Sequence, residues 1–156
     1  MPSHYRGSEA EVTALSAMIN LMRASDALAA SIHQDLLARR LTISQFGALE
    51  ALLHLGPLFQ GTLAGKLLRS CGSVTAVVAG LEKRGLARRD RPEADGRYVR
   101  VSLTPAGRRL IGGLFPLHAR VIAGRFAALT PGEQQTLRRL CRKLGRSISS
   151  PTKEAP

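Results

Sequence analysis

The segment of residues 70–84 carries residue types and spacing that suit contact with the edges of nucleic-acid bases. Its valines and Leu81, at helical spacing, predict a helix with one buried face. The opposite face consists of small residues and one charge, namely Gly72, Thr75, Ala76, Ala79 and Lys83. A helix that only faces water normally carries long charged residues there, whereas short side chains let another body approach closely. We therefore expect Ser73, Thr75 and the methyl group of Ala76 to read base edges in a major groove.

Arginines are concentrated just after this segment, on a predicted β-hairpin. Val99, Val101 and Leu103 alternate with polar residues and predict a half-buried strand, with which residues 86–89 can pair across a turn at 91–96. The arginines of the hairpin are Arg88, Arg89, Arg91, Arg97 and Arg100. Such side chains bind phosphates beside a groove, and an arginine at the tip can enter a narrow minor groove. Phosphate contacts are predicted for Lys83, Arg88, Arg89 and Arg100, with Arg97 anchoring the tip.

The overall composition favours duplex DNA as the polyanion that these residues bind. The 156 residues include 23 Lys and Arg against 11 Asp and Glu, which gives a formal net charge of +12. Residues 60–110 hold 11 of the basic residues and only 4 of the acidic ones. Aromatic residues make up 4% and Trp is absent, so there is little material for the stacking platforms that bind RNA and single strands. We therefore predict double-stranded operator DNA as the partner.

Enzyme, metal and membrane chemistry have little support in the sequence. Residues 61–67 resemble a phosphate-binding loop, but they are one residue short, end in Leu and follow no strand. Two cysteines and four scattered histidines lack the spacing of a zinc site, and no apolar run reaches the roughly 18 residues of a membrane span. We expect a non-enzymatic protein without cofactor, metal or membrane partner, located in the cytoplasm on the nucleoid.

Helices must position the two DNA-contacting segments. Residues 8–39 have apolar residues at alternating steps of three and four and predict a long amphipathic helix. Its apolar stripe consists of Val12, Leu15, Ile19, Met22, Ala29 and Leu36. Thr42 and Gln45 have capping-box spacing and predict a second helix, which Gly56-Pro57 ends. A short helix is predicted over residues 62–69.

Two further helices are predicted after the hairpin. Thr104-Pro105 is an N-cap followed by Pro at the first helical position and begins a long helix, which we expect Pro116 to kink. Thr130 and Glu133 have capping-box spacing before the final helix. The apolar stripe of that helix is Leu137, Leu140, Cys141, Leu144 and Ile148. Cys141 is therefore expected in the core, and residues 149–156 are expected to fray.

Helix, short turn, helix with a small-residue face and then a basic hairpin is the order of a winged helix-turn-helix. We therefore predict a mainly α fold with a small β-hairpin wing and a DNA-binding part at residues 41–110. Residues 70–110 resemble the recognition-helix and wing signature of the MarR family, the multiple-antibiotic-resistance type of bacterial repressor, chiefly at 81–86 and 103–107. The resemblance extends over roughly residues 10–148.

The resemblance implies a homodimer joined by flanking helices at 8–40 and 105–148, within a single domain of residues 1–156. Asp95-Gly96-Arg97 matches the Asp-x-Arg wing pattern of the family, in which Asp95 would orient Arg97 for the minor groove. An ordinary turn aspartate beside an exposed arginine is the alternative. Independently, long apolar stripes outside a winged unit need a partner, and a second copy is the simplest one. A homodimer has two base-contacting helices about one turn of DNA apart, which favours a pseudo-palindromic operator.

Regulation by a small molecule is a further implication of the resemblance. Members of the family are commonly released from DNA by phenolic or other aromatic ligands, and residues 113–119 resemble a subgroup associated with quinone and hydroquinone stress. Candidate donors in a ligand pocket are Asp26, His33, His54 and His118, and for each a structural contact is the alternative. The expected function is that of a repressor released by a small, aromatic or quinone-like effector.

Three alternative functions stay open at this point. The same charge would suit a non-specific architectural DNA-binding protein or a basic helical adaptor for an acidic protein. Cys71, near a helix N-terminus and close to Arg69 and Arg84, would suit a redox-sensing repressor. In the MarR family, which this chain resembles, the peroxide sensors carry their reactive cysteine in the first helix. This chain has no cysteine there.

Overall fold

The computed structural model describes residues 5–67, 70–91 and 98–149. The helices and strands in these ranges are α1 (Glu9–Leu37), α2 (Ile43–Leu55), β1 (Leu58–Phe59), α3 (Gln60–Leu67), α4 (Cys71–Lys83), β2 (Ala87–Asp90), β3 (Arg100–Leu103), α5 (Pro105–Phe126) and α6 (Pro131–Ser149). The predicted fold class, mainly helical with a small β-sheet, is confirmed. The predicted wing residues Asp95 and Arg97, and the tail at 150–156, lie outside the described residues.

Side-chain caps place the beginnings of the helices where the sequence predicts them. Thr42 Oγ1 accepts from the Gln45 N–H, and Gln45 Oε1 accepts from the Thr42 N–H, both at 3.1 Å. Thr130 and Glu133 form the same reciprocal pair before α6. A third box, Ser8 with Glu11, begins α1. Each box satisfies backbone N–H groups that have no partner inside the helix.

The β-sheet has three strands in the order β1-β3-β2, all antiparallel. The two predicted strands are β2 and β3, with Ala87 opposite Leu103. The prediction of a two-stranded hairpin was wrong in one respect, because β1 adds a third strand with Leu58 opposite Val101. Two residues are too few to show an alternating pattern, so only pairing with β3 makes this segment a strand.

The chain divides into two compact units, Met1–Ile111 and Gly112–Pro156. In the first unit α4 packs against α2, α3 and β2, and the core between them is aliphatic apart from Phe46. Its largest fully buried side chains are Leu36, Leu41, Leu49, Leu52, Leu63, Val74, Val78, Leu81, Val101 and Ile111. This core holds α4 by one face and leaves the opposite face in solvent.

The apolar stripe of α1 is only partly buried within the single chain, with Val12, Leu15 and Ile19 half-buried. Of the predicted stripe only Leu36 is buried, and Met22 is 57% exposed. An amphipathic helix gains stability only when its apolar face is covered. Met22 and Ala29 of this stripe are not covered within the single chain.

The second unit contains α6, whose apolar stripe is also exposed. Leu140 is 50% and Ile148 is 74% exposed. Cys141 is exposed too, so the expectation that it lies in the core was wrong: its stripe is apolar, but this chain does not cover it. Pro116 lies inside α5, which continues to Phe126; the predicted kink stays a prediction.

In the described ranges no helix has the length and apolar character needed to cross a membrane.

Candidate nucleic-acid interface

Helix α4 is fixed at both ends by local hydrogen bonds. At its beginning Ser70 Oγ accepts from the Ser73 N–H at 3.3 Å and lies 2.9 Å from Ser73 Oγ. At its end Gly85 takes φ +66°, which places it in the left-handed region that glycine tolerates. The Leu86 N–H then donates to the Leu81 carbonyl at 2.9 Å, which closes a Schellman motif. The helix therefore has defined ends and a fixed rotation on the core.

The predicted base readers lie together on the exposed face of α4. Ser73, Thr75 and Ala76 are all exposed, while Val74 and Val78 on the other face are fully buried. Gly72, Ala79 and Lys83 share the exposed side. The described side chains that α4 itself presents on this face are small apart from Lys83, so a groove wall can approach the helix backbone closely. The three predicted DNA contacts themselves stay predictions.

The sequence interpretation missed Gln60, the first residue of α3. Its Nε2 donates to Thr75 Oγ1 at 2.6 Å, across 15 residues of sequence. Its backbone N–H donates to the Val99 carbonyl at 2.8 Å, just before β3. Gln60 thus connects the recognition helix with the base of the wing. Nothing in the local sequence signals this, because both contacts depend on the tertiary packing of α3 between α4 and the sheet.

Arg89 is bound to the recognition helix by a carboxylate. Its Nε and Nη2 donate to Glu82 Oε2 at 2.7 and 2.5 Å, and its backbone N–H donates to Glu82 Oε1 at 2.8 Å. These three bonds join β2 to the last turn of α4. The guanidinium charge of Arg89 is therefore largely offset, and its main structural effect is to position α4. Its predicted phosphate contact stays a prediction.

The outer face of the sheet carries a second ion pair. The Arg100 guanidinium donates through Nε and Nη2 to the Asp90 carboxylate on the facing strand. This hydrogen bond lowers the pKa of Asp90 below its ordinary value and raises the pKa of Arg100. Both side chains are exposed, so solvent and salt weaken their attraction. A DNA phosphate could therefore compete with Asp90 for this arginine.

Arg88 faces a cavity of about 450 Å³ beside the beginning of α5. Leu103, Thr104, Pro105 and Arg108 line the rest of it. Arg88 Nε donates to Ser102 Oγ at 3.1 Å, which holds the guanidinium on this side of the sheet. The side chain of Lys83, at the end of α4, is exposed. Neither Arg88 nor Lys83 makes a direct ion pair with a carboxylate within the described residues, so their charges are available to a polyanion.

Thr104 and Gly107 lock α5 onto the end of the recognition helix. The Thr104 N–H donates to the Leu86 carbonyl at 3.1 Å, and its Oγ1 donates to the Gly85 carbonyl at 2.6 Å. The same Oγ1 accepts from the Gly107 N–H at 3.0 Å. A Cβ on Gly107 would lie 1.9 Å from the Leu86 carbonyl oxygen. This close approach gives a structural reason for the residue types at 103–107.

The four predicted ligand-pocket residues are not brought into one described cavity. Asp26 and His33 are exposed on α1, His54 is exposed in the last turn of α2, and His118 on α5 is half-buried. The cavity beside Arg88 is lined by other residues. A second one, of about 710 Å³, lies on the polar face of α6 beside Arg138, Arg142 and Arg146. The ligand role of the four residues stays a prediction.

Cys71 is the first residue of α4, so its backbone lies where the sequence predicts. Its side chain is outside the described residues. Within the described part of the chain, no group of three or more His, Cys, Asp or Glu side chains is arranged to hold a metal ion.

Residues 41–99, which contain α2, α3, α4 and the sheet, match the model of the MarR family. The HTH-type transcriptional regulator YkoM of Bacillus subtilis is 35% identical over 102 residues, which cover 65% of this chain and 66% of YkoM. This chain belongs to the MarR family. Its match with YkoM thus spans just under two thirds of that relative.

Two solved regulators match this MarR-family protein over most of their length. A probable transcriptional regulator from Pseudomonas aeruginosa is 35% identical, with a TM-score of 0.68, over 80% of this chain and 93% of that one. BpsR of Bordetella bronchiseptica, whose DNA binding is regulated by 6-hydroxynicotinic acid, is 28% identical, with a TM-score of 0.76, over 83% and 98%. The expected family and winged-helix fold are confirmed.

Proposed function

We propose that this MarR-family protein is a homodimeric repressor that binds a pseudo-palindromic operator and is released by a small aromatic or quinone-like ligand. One observation carries the DNA-binding part of this proposal: the exposed face of α4 consists of small residues up to Lys83, while Val74, Val78 and Leu81 on its other face are fully buried. The major groove of B-DNA admits one α-helix, and short side chains let its backbone approach the base edges. Ser73, Thr75 and Ala76 are then within reach of bases.

The sheet supplies charge for the DNA backbone. Arg88 and Lys83 are exposed, and Arg100 is shared only with an exposed carboxylate. Contacts of this kind fix the register of a protein on the duplex and make affinity depend on salt. Asp95 and Arg97 are proposed to act at the tip, with Arg97 in the minor groove.

The exposed stripes of α1 and α6 favour a homodimer. Met18, Met22, Leu140, Leu144 and Ile148 are all more than 45% exposed in the single chain. Exposed apolar stripes of this length normally mark an interface, and closed two-fold symmetry is the commonest way for a chain to cover them. A two-fold dimer presents two copies of α4, which requires an operator with two related half-sites.

The ligand part of the proposal rests on the relative BpsR, whose DNA binding responds to 6-hydroxynicotinic acid. That molecule is a small aromatic acid. Its carboxylate can pair with a basic side chain, of which this chain has 23. Asp26, His33, His54 and His118 are the candidate donors for the polar groups of such a ligand.

The test is selection of duplexes from a randomised library by the full chain, followed by titration of the selected duplex against excess non-specific DNA at fixed salt. The specific complex should survive a competitor excess of about 10³. Ala76→Glu should weaken binding by more than about 10-fold because it places a carboxylate against the groove, while Ala128→Glu, in the exposed connection before α6, should bind like the wild type.

Each alternative function has its own outcome in this test. Equal binding to all duplexes would indicate an architectural DNA-binding protein. If the chain binds no duplex, the basic helical adaptor for an acidic protein is the alternative that remains. Release is tested with 6-hydroxynicotinic acid and with 1,4-benzoquinone. Because a quinone also reacts with thiolates, release that is lost in Cys71→Ser but retained in Cys141→Ser would indicate redox control through Cys71 instead.

A further inference from the structure

Gln60 is placed beside the recognition face by two bonds from opposite directions. Its backbone N–H is held by the Val99 carbonyl at 2.8 Å, and its side-chain Nε2 is held by Thr75 Oγ1 at 2.6 Å. Thr75 lies in the middle of the exposed face of α4. The amide of Gln60 therefore lies beside the exposed face of α4, although Gln60 belongs to a different helix.

The bond to Thr75 fixes which way the Gln60 amide points. A glutamine amide has two N–H donors and one carbonyl acceptor with two lone pairs. One N–H is used by Thr75, and Oε1 has no hydrogen-bond partner among the described residues. A second N–H and the carbonyl oxygen are left over, and they sit on a side chain whose position is already fixed at both ends.

The groups left over match one base. In the major groove adenine offers the N7 acceptor and an N6–H donor, and the side-chain amide of Gln or Asn pairs with both at once. No other base presents this acceptor-donor pair. Because the amide is held before DNA binds, the pairing costs little side-chain entropy.

We propose that Gln60 is a specificity-determining residue that reads an adenine in each operator half-site, with Thr75 as the residue that positions its amide. This inference rests on the proposed function, since it requires that α4 enters a major groove. It adds a base-contacting residue from α3, outside the recognition helix, and it gives Thr75 a positioning role in addition to its place among the residues within reach of bases.

The experiment compares the base preferences that four full-length variants show in library selection with those of the wild type. Gln60→Ala should lose the preference for adenine at one position of each half-site by about 5- to 150-fold and keep all other preferences. Gln60→Glu removes both donors and leaves an acceptor, so the preference there should move towards cytosine, whose N4 is a donor. Thr75→Val should weaken the adenine preference at the same position. Gln135→Ala, on α6, is the matched control and should select like the wild type.

Two results would overturn the proposal for Gln60. One is a Gln60→Ala variant that keeps every preference of the wild type. The other is equal weakening on specific and non-specific duplexes together with a lower melting temperature, which would mean that Gln60 only supports the fold. The Gln60→Glu and Thr75→Val variants keep the test decisive if Gln60→Ala fails to fold. If the wild type itself selects no sequence, both the proposed function and the role of Gln60 are wrong. That result differs from a Gln60→Ala variant that selects like the wild type, which would overturn only the role of Gln60.

Discussion

At the scale of single residues, arginines that look alike in the sequence have different environments. Arg89 is bound by Glu82 and Arg100 by Asp90, whereas Arg88 donates a hydrogen bond to the hydroxyl of Ser102 and makes no direct ion pair with a carboxylate among the described residues. The Arg100–Asp90 pair is exposed and its attraction is weakened by solvent and salt, so it does not prevent Arg100 from moving to a phosphate. Arg88 breaks no direct ion pair with a carboxylate when it moves to a phosphate, whereas the Arg89 guanidinium must give up two bonds to Glu82.

The tip arginine gives the first prediction. Replacing Arg97 with Ala should weaken operator binding by about 1–3 kcal/mol if its guanidinium makes a specific groove contact. Arg120→Ala, which removes the same charge from an exposed position on α5, is the control and should bind nearly as tightly as the wild type. The measurement is fluorescence anisotropy at fixed salt. Wild-type affinity in a folded Arg97→Ala variant would refute the role.

Gly107 gives a prediction about stability. Gly107→Ala would bring a Cβ to 1.9 Å from the Leu86 carbonyl oxygen, so the start of α5 must shift, at a cost of about 1–3 kcal/mol. Gly112→Ala, on the same helix, would meet nothing within 4 Å and should stabilise by about 0.5–1 kcal/mol through helix propensity. Urea denaturation checks both values. Equal stability of the two variants would show that the close approach is not rigid.

At the scale of elements, the capping boxes connect helix stability to pH. Glu133 Oε2 accepts from the backbone N–H of Thr130 at 2.8 Å and from its hydroxyl at 2.8 Å. These bonds hold the pKa of Glu133 below the ordinary 4.5 of a glutamate. A carboxyl whose folded pKa is lowered contributes stability that is complete above the unfolded pKa and is lost as the pH falls through the folded pKa.

The corresponding prediction concerns acid unfolding of α6. Glu133→Gln keeps an acceptor for Thr130 but removes the titration, so it should lose less helix content than the wild type as the pH falls from about 5 to about 3. The Ser8–Glu11 box, in which the pKa of Glu11 is also lowered, is present in both proteins and cancels in the comparison. Circular dichroism at 222 nm is the measurement. Superimposable acid curves would contradict a role for the Glu133 charge.

Local chemistry determines where the capped helices begin, but it does not predict every element of the fold. Thr42, Thr130 and Gly56 act through atoms within a few residues, so their effects were predictable from the sequence. β1 was not, because its two residues become a strand only when Leu58 and Phe59 pair with β3. Gln60 was missed for the same reason: its partners Thr75 and Val99 lie 15 and 39 residues away in the sequence.

At the scale of the whole molecule, exposed apolar stripes predict the oligomeric state. Leu140→Glu should disrupt a dimer because it would bury a charge without a partner at the interface. Arg142→Glu is the matched control, since it adds the same side chain on the opposite, polar face of α6. Analytical ultracentrifugation should find a dimer for the wild type and Arg142→Glu, and mainly monomer for Leu140→Glu. A wild-type monomer at micromolar concentration would remove the dimer from the proposal.

The sequence by itself determined the helix boundaries at caps, the small-residue face of α4, the basic character of the sheet and the family. All of these depend on residue type and short spacing, which local physics translates directly into structure. Only the tertiary structure decided which arginines are paired, that Gln60 reaches Thr75, that Gly107 touches the Leu86 carbonyl, and that Cys141 is exposed. These features depend on contacts between distant segments, and a one-dimensional pattern does not specify the distance between two side chains that packing brings together.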